Sequence, residues 1–437
     1  MIVENKYLSL PLTAQFEVTD FCNHRCIHCY NLDSETVNRP IHKVKDETVL
    51  ACAQKLIDNK IFSVVVTGGE PLIKKDLTKK VILLLKRHDI KVSLNSNLVL
   101  LDDDFIKFIK TEEVGILTSC PSAINTSFEK LVGVDNYLRF EANVKKLVAA
   151  NIRFIINMVI TKENINEIIT TAQKMQQLGC KSFAATPMGL NMEYPRLDLL
   201  LSSDEVRKVV ADLLWINDNL GLRVDILEAL PKCAFPENIL LEKHVFLNRK
   251  CQAGRTGIAV SSNGDVRPCA HNTVSYGNIL QEDLKEIWTK MQDWRSLQYI
   301  PKICKDCTWL NHCNGGCRTN AKTISDKWDG MDIWCARPPI KQPARPHKDA
   351  ELTEETYLQV NANYQYRQDD ENCFVIYNVD DDIYFMVNRL CFDFITSFRD
   401  KERFTYAQLM MKYRTNDNKA FREVVLFLIR KRILTIN

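Results

Sequence analysis

Between Ala14 and Leu220 short apolar runs alternate with segments of helical period, and no other feature restricts the folds open to this 437-residue chain so tightly. Residues 14–19, 63–67, 91–95, 115–119, 154–160 and 182–186 read as strands. Between them lie helices, among which residues 47–59, 76–87, 137–150, 164–178 and 203–219 carry apolar side chains at three-to-four spacing. Six strands, each followed by a helix, predict parallel βα units, because a parallel pair needs a crossover long enough to hold a helix. The expected class is α/β, with a partial (β/α)6 barrel rather than a closed eight-fold one.

The pattern changes downstream. From Cys251 to Cys335 glycine and cysteine become frequent, and apart from a helix near residues 284–292 little hydrophobic period remains. Metal is expected to supply the cohesion that a core would otherwise give. Residues 337–350 follow, with Pro338, Pro339, Pro343 and Pro346 among basic and polar neighbours, and read as a semi-rigid linker. The last segment shows strands near 357–366, 374–379 and 383–387, with a turn at 379–382 between the last two. Helices near 388–398, 405–413 with Thr405 as N-cap, and 419–433 complete a winged-helix-like α+β unit. The expected domains are residues 1–225, 226–337 and 351–437, with the linker at 338–350.

The formal net charge is only +3, so no global basic field points to nucleic acid or an anionic membrane. No stretch approaches the roughly 20 apolar residues of a membrane span, and Met1 to Pro11 lacks the form of an export signal. Sixteen cysteines without such a signal are expected in a reducing cytoplasm, where disulfides are rare and metal ligation becomes the leading explanation. Cys52, Cys120, Cys180, Cys373 and Cys391 stand alone in apolar settings and read as core residues. The others fall into two groups, with Cys233 just ahead of the second.

Cys22, Cys26 and Cys29 lie just past the first expected strand, at the end where parallel βα folds place their sites. Three thiolates at C-x3-C-x2-C spacing can hold three corners of a four-iron four-sulfur cluster and leave the fourth iron open. Structural zinc is the rival; it wants four ligands and would recruit His24 or His28. The next strand ends in Gly68-Gly69-Glu70-Pro71, where backbone can approach a ligand closely and a carboxylate can meet an ammonium group. A lone Gly-Gly-Glu is usually a turn; after a cysteine loop of this spacing it is a composite signal.

These two elements resemble the radical S-adenosylmethionine (SAM) superfamily. The resemblance implies that Cys22, Cys26 and Cys29 hold a 4Fe-4S cluster whose open iron binds SAM. It implies further that Gly68, Gly69 and Glu70 hold the methionyl ammonium. Ser96 and Asn97 stand where relatives place a ribose-binding pair, although the family's Thr-Asn-Gly is Asn-Ser-Asn here; the alternative is a strand-end turn.

In the second group the spacing from Cys251 is C-x12-G-x4-C through Gly264 to Cys269, and C-x2-C-x5-C-x3-C through Cys304, Cys307, Cys313 and Cys317, with Cys335 beyond. A zinc ribbon would account for Cys304 and Cys307 alone. The whole pattern resembles the SPASM extension of radical SAM maturases, which implies two auxiliary 4Fe-4S clusters. By that resemblance Cys304, Cys307, Cys313 and Cys335 ligate an outer cluster, and Cys251, Cys269 and Cys317 an inner one. Cys233 either completes the inner cluster or is a buried thiol beside a site left open to substrate.

The C-terminal unit resembles the PqqD-like recognition element of peptide-modifying enzymes, which implies that a leader peptide adds as a strand beside the third strand and packs on the third helix. With the rest, this implies a maturase of a ribosomally synthesised precursor peptide, whose leader binds residues 351–437. The expected reaction is a carbon–carbon or carbon–oxygen crosslink of the cyclophane or darobactin type, driven by a 5'-deoxyadenosyl radical, with flavodoxin or ferredoxin as reductant. Thioether formation and epimerisation, with Cys120 as the thiol to inspect, are alternatives. The non-enzyme alternative is an iron-sulfur sensor whose last helix, ending in Arg430, Lys431 and Arg432, binds DNA.

Overall fold

The computed structural model describes residues 7–31, 44–235, 249–296, 298–335, 352–379, 383–413 and 419–436. The expected linker at 338–350 and the turn residues 380–382 lie outside them. The chain divides into two compact units, Pro11–Pro343 and a second that joins Met1–Leu10 to Ala344–Asn437.

In the first unit, strands β1 (Thr13–Glu17), β2 (Ser63–Thr67), β3 (Lys91–Ser96), β4 (Gly115–Ser119), β5 (Phe154–Ile160), β6 (Ser182–Pro187) and β7 (Arg223–Asp225) pair in parallel and in chain order. Their crossovers are helices α1 (Asp46–Asp58), α2 (Lys75–Lys86), α3 (Asp103–Thr111), α4 (Asn125–Val132), α5 (Tyr137–Ala149), α6 (Ile168–Gln177) and α7 (Ser203–Leu220). The six expected strands are all present, and the sheet is that of a partial barrel. Register explains the apolar runs: Phe16, Val66, Leu94 and Ile116 stand side by side across β1 to β4, and all four are buried. Burying each such side chain is worth about 1.5–3 kcal/mol. Each helix turns one stripe inward, as α1 does with Val49, Cys52, Ala53 and Leu56. The α7 helix starts from a capping box of Ser202 and Glu205 and stops at Gly221 in the left-handed region, φ +64°.

In this unit four short strands escaped the sequence reading, of which two pair in parallel with the expected six. These two are β7 and β8 (Gly257–Val260), the latter pairing in parallel with β1 from the far side. A hairpin of β8, β9 (Asp265–Arg267) and β10 (Gly277–Asn278) then extends the sheet antiparallel. Gly264 makes the β8–β9 turn at φ +94°, where an added methyl would stand 2.8 Å from Asn278, which is why the cysteine spacing carries a glycine there.

The expectation that metal alone holds the cysteine-rich segment is corrected by an aromatic core. Trp288, Trp294, Trp309 and Trp334 are buried, Trp294 and Tyr299 meet Trp328 at 5.2 and 5.4 Å between ring centres, and the Arg295 guanidinium lies 4.1 Å above Trp288. The buried Arg318 side chain donates to the carbonyls of Tyr299, Gly315, Gly316, Trp328 and Gly330. None of these positions repeats at a helical or strand period, so periodicity could not reveal them.

The second unit holds two three-stranded antiparallel sheets. The expected strand at 357–366 is in fact two, β11 (Tyr357–Val360) and β12 (Tyr364–Asp370), which belong to different sheets. β12 pairs with β13 (Cys373–Asn378), and β13 with β14 (Ile383–Val387) at the sheet's edge. β11 is sandwiched by β15 (Arg403–Thr405) and β16 (Leu434–Ile436). Helices at Arg389–Thr396, Tyr406–Lys412 and Lys419–Arg430 cover the core, and Thr405 caps the second with Gln408 answering it. Arg367 and Asp369 form a buried pair at 2.9 Å that holds the N-terminal segment: Asp369 accepts from the Ser9 amide at 2.7 Å and Arg367 donates to the Leu10 carbonyl at 2.9 Å.

Candidate functional site

The Cys22–Cys29 loop leaves β1 at the carboxyl end of the sheet and is strapped down by backbone. Arg25 and Ile27 amides donate to the carbonyls of Val132 and Leu131 at the end of α4, and the Cys29 amide donates to the Cys26 carbonyl at 3.1 Å. The Arg25 guanidinium folds back on the carbonyls of Cys22 and His24. All three cysteines are free thiols of intermediate exposure. Burial pushes Cys22 up to about 12 and holds Cys26 well above the ordinary thiol range, so only a bound cation makes them thiolates. Burial likewise holds His24 and His28 down at about 4. His24 Nε2 is engaged by Asn136 Nδ2 at 2.9 Å.

Gly68 and Gly69 serve this loop directly. A Cβ on Gly68 would lie 2.4 Å from the Thr19 carbonyl oxygen, and one on Gly69 would lie 2.1 Å from that of Phe21. The space they leave lets the Gly69 amide donate to Thr19 at 2.7 Å and the Glu70 amide to Phe21 at 2.6 Å. The glycines thus admit the cysteine loop, a close approach of backbone to backbone. Glu70 is buried; its Oε1 accepts from the Leu72 amide at 2.9 Å and the Ser96 hydroxyl at 2.8 Å, and its Oε2 from the Asn97 amide at 2.7 Å. Burial raises its carboxyl to about 7 against those three hydrogen bonds. Asn97 Nδ2 reaches Asn23 Oδ1 at 2.7 Å. Cysteine loop, Gly68–Glu70 and Ser96–Asn97 therefore form one hydrogen-bonded assembly at the ends of β1, β2 and β3.

The second set of thiols sorts into two groups. Cys251, Cys269 and Cys317 sense one another electrostatically. The Cys317 amide donates to Asp332 at 2.6 Å, and its Sγ accepts from the Asn320 amide at 3.4 Å. Cys304, Cys307, Cys313 and Cys335 line one small, partly open pocket. Cys233 lines it too, with its Sγ 2.9 Å from that of Cys335. The sequence offers Cys233 to the inner group or as a buried thiol; the 3-10 turn Lys232–Ala234 sets it beside Cys335. Among the described residues no three His, Cys, Asp or Glu side chains converge on one point as a single ion requires. A four-iron cube spreads its thiols over separate corners, and the thiols lining the outer pocket suit it.

Family models match at residues 16–175, described as the radical SAM superfamily, and at residues 251–308, described as an iron-sulfur cluster-binding domain, SPASM. The chain carries a radical SAM domain and a SPASM domain. The two matches cover the cysteine loop, the Gly68–Glu70 turn and Cys251, Cys269, Cys304 and Cys307. The radical SAM domain implies a 4Fe-4S cluster and SAM, and the SPASM domain implies auxiliary 4Fe-4S clusters. Among curated relatives, the antilisterial bacteriocin subtilosin biosynthesis protein AlbA of Bacillus subtilis is 27% identical over 70% of this chain and 67% of its own length. A cysteine-type anaerobic sulfatase-maturating enzyme of Clostridium perfringens is 23% identical over 72% of this chain and 90% of its own. Among solved structures, Streptococcus suis SuiB bound to S-adenosylmethionine matches with a TM-score of 0.61 at 21% identity, covering 76% of this chain and 78% of that one; SuiB has also been solved bound to its precursor peptide SuiA.

Sequence reasoning missed Glu228, His271, Asp332 and the Glu17–Arg267 pair. Arg267 on β9 meets Glu17 on β1 at 2.7 Å, both buried, and so ties the SPASM hairpin to the strand that carries the first loop. His271 stacks on Tyr30 at 4.6 Å. These partners are distant in sequence and belong to no motif. Cys120, the thiol to inspect for epimerisation, is fully buried and donates to the Ser122 carbonyl at 3.3 Å.

Proposed function

We propose that this radical SAM/SPASM enzyme matures a ribosomally synthesised precursor peptide by joining two of its side chains through a carbon–carbon or carbon–oxygen bond. The observation that carries the reading is the union, in one chain, of the SAM-type assembly with a C-terminal sheet whose strand β14 is paired on one side only. Support also comes from the relatives, since SuiB is solved with a precursor peptide and AlbA is named for bacteriocin biosynthesis. In this reading the leader adds to β14 and rests on helix Lys419–Arg430, within a PqqD-like element at residues 351–437.

When bound, the cluster and SAM supply a 5'-deoxyadenosyl radical able to take hydrogen from an unactivated carbon. The chain's residues do the rest. Cys22, Cys26 and Cys29 release their thiol protons and hold three corners. The Gly68–Glu70 turn meets the methionyl ammonium, for which Glu70 must be ionised. Ser96 and Asn97 meet the ribose from positions fixed by Glu70 and Asn23. The inner face of the barrel admits the peptide and excludes water and competing hydrogen donors. Cys251, Cys269 and Cys317 hold the inner auxiliary cluster, and Cys304, Cys307, Cys313 and Cys335, joined by Cys233, the outer one. The auxiliary clusters held by these thiols would supply an acceptor for the electron left on the product, and the external reductant would be a flavodoxin or ferredoxin. Such chemistry suits a cytoplasmic setting. Among the described residues no helix is long and apolar enough to cross a membrane.

DNA binding by the last helix finds no support: Arg430 lies 3.7 Å from Glu423, and Lys431 sits over Phe385 and Phe427. The test is mass spectrometry of a precursor co-expressed with the enzyme. Each crosslink removes two hydrogens, and fragmentation locates the joined residues. A peptide of unchanged mass counts against crosslinking; if its chirality has changed, epimerisation replaces it, and a bond to cysteine sulfur identifies thioether chemistry.

A further inference from the structure

Five thiols line the outer pocket, one more than the corners of a four-iron cube. By the SPASM pattern those corners belong to Cys304, Cys307, Cys313 and Cys335. Cys233 is the fifth, and its Sγ stands 2.9 Å from that of Cys335, a residue 102 positions away in the chain.

One helix fixes both members of this pair. Trp334, next to Cys335, is buried and donates through Nε1 to the carbonyl of Leu201 at 3.0 Å, just ahead of α7. Arg207 of α7 donates to the Ala234 carbonyl at 3.1 Å, next to Cys233. Local backbone bonds stiffen each thiol's setting: the Ala234 amide donates to the Pro231 carbonyl and the Cys335 amide to the Asp332 carbonyl, both at 3.0 Å. The start of α7 therefore brings the two sulfurs together through separate anchors. Both keep partial exposure, whereas Cys304 and Cys313 are buried, so the pair is within reach of solvent.

We propose that Cys233 and Cys335 share one corner of the outer auxiliary cluster, with Cys335 as the resident ligand and Cys233 as its replacement. In the exchange one iron–sulfur bond forms as the other breaks, and the proton of the Cys233 thiol passes to the departing Cys335 sulfur. Net charge and iron oxidation state do not change. The cluster then keeps four thiolates when either sulfur of the pair is lost. The inference goes beyond the peptide-crosslinking reading and rests only on the SPASM clusters.

The test uses the full chain carrying Cys22→Ala, Cys26→Ala and Cys29→Ala, so that only auxiliary clusters form, reconstituted anaerobically with 57Fe. Each further variant is compared with this parent. Cys335→Ala and Cys233→Ala should each match it in iron content and Mössbauer spectrum. Replacing both should remove about four irons per chain or leave one iron with a non-thiolate signal. Cys304→Ala, for which no thiol stands in, should show that change alone. The proposal is overturned if Cys335→Ala alone behaves as the double variant, if Cys233→Ala alone alters either cluster, or if the double variant or Cys304→Ala matches the parent. A second measurement needs no substitution. Iodoacetamide added anaerobically to the iron-loaded, unsubstituted chain should label one thiol of the pair, chiefly Cys233, and spare Cys304, Cys307 and Cys313; protection of both Cys233 and Cys335 would also overturn the proposal. Neither peptide nor turnover enters these measurements, so their failure would leave the peptide reading standing.

Discussion

A methyl group at position 69 would sit 2.1 Å from the Phe21 carbonyl oxygen, closer than any side chain tolerates, and backbone cannot swing aside as a flexible side chain can. Gly69→Ala is therefore expected to cost at least about 2 kcal/mol and to lower iron incorporation at the first site, measured by thermal unfolding and iron content. Glu70 gives a pH prediction of definite sign. Its carboxyl, raised to about 7 by burial, is neutral below that value, and only the ionised form pairs with an ammonium. SAM affinity should strengthen as pH rises through about 7, and Glu70→Gln should bind more weakly with no such rise, by calorimetric titration from pH 5.5 to 8.5. Stability of the cofactor-free protein runs the opposite way. Because the folded value lies above the ordinary 4.5, this residue's contribution is fully present below about 4.5 and is lost as pH rises through about 7.

At the scale of elements, Thr405 accepts from the Gln408 amide at 3.1 Å while Gln408 answers the Thr405 amide at 2.8 Å. Thr405→Ala should destabilise the C-terminal unit by about 1 kcal/mol, read from its chemical-denaturation midpoint. This cap was legible in the sequence, as were the six long strands and the helices α1, α2, α5, α6 and α7, because each joins a regular apolar period to a start or stop residue. What was not legible has a common cause. The strands β7, β8, β15 and β16 are three or four residues long, too short for a period to register, and they owe their pairing to neighbours far away in sequence. The break at Asn361–Asn363 that parts β11 from β12 carries no glycine or proline to announce it. The site shows the same division. Cysteine spacing and Gly68–Glu70 are local and were readable, whereas the approach of Cys233 to Cys335 and of Glu228 to His271 depends on tertiary structure alone.

For each unit as a whole, stability rests on a different device. The barrel unit closes its SPASM segment with tryptophans and the Arg318 carbonyl knot. The C-terminal unit binds the beginning of the chain through the buried Arg367–Asp369 pair. Arg367→Ala would strand Asp369 as a buried charge, and the expected loss is about 3–5 kcal/mol, with faster hydrogen exchange at the Ser9 amide. Removing residues 351–437 should weaken precursor binding at least tenfold in a fluorescence titration, whereas unchanged affinity would remove this unit from substrate recognition. Beneath all of this lies the claim that three N-terminal thiolates hold a SAM-cleaving cluster. The most direct measurement is 5'-deoxyadenosine release from SAM by anaerobically reconstituted, dithionite-reduced protein: release that disappears when Cys22, Cys26 and Cys29 are replaced by Ala is predicted, and no release from the intact, iron-loaded protein would contradict the account.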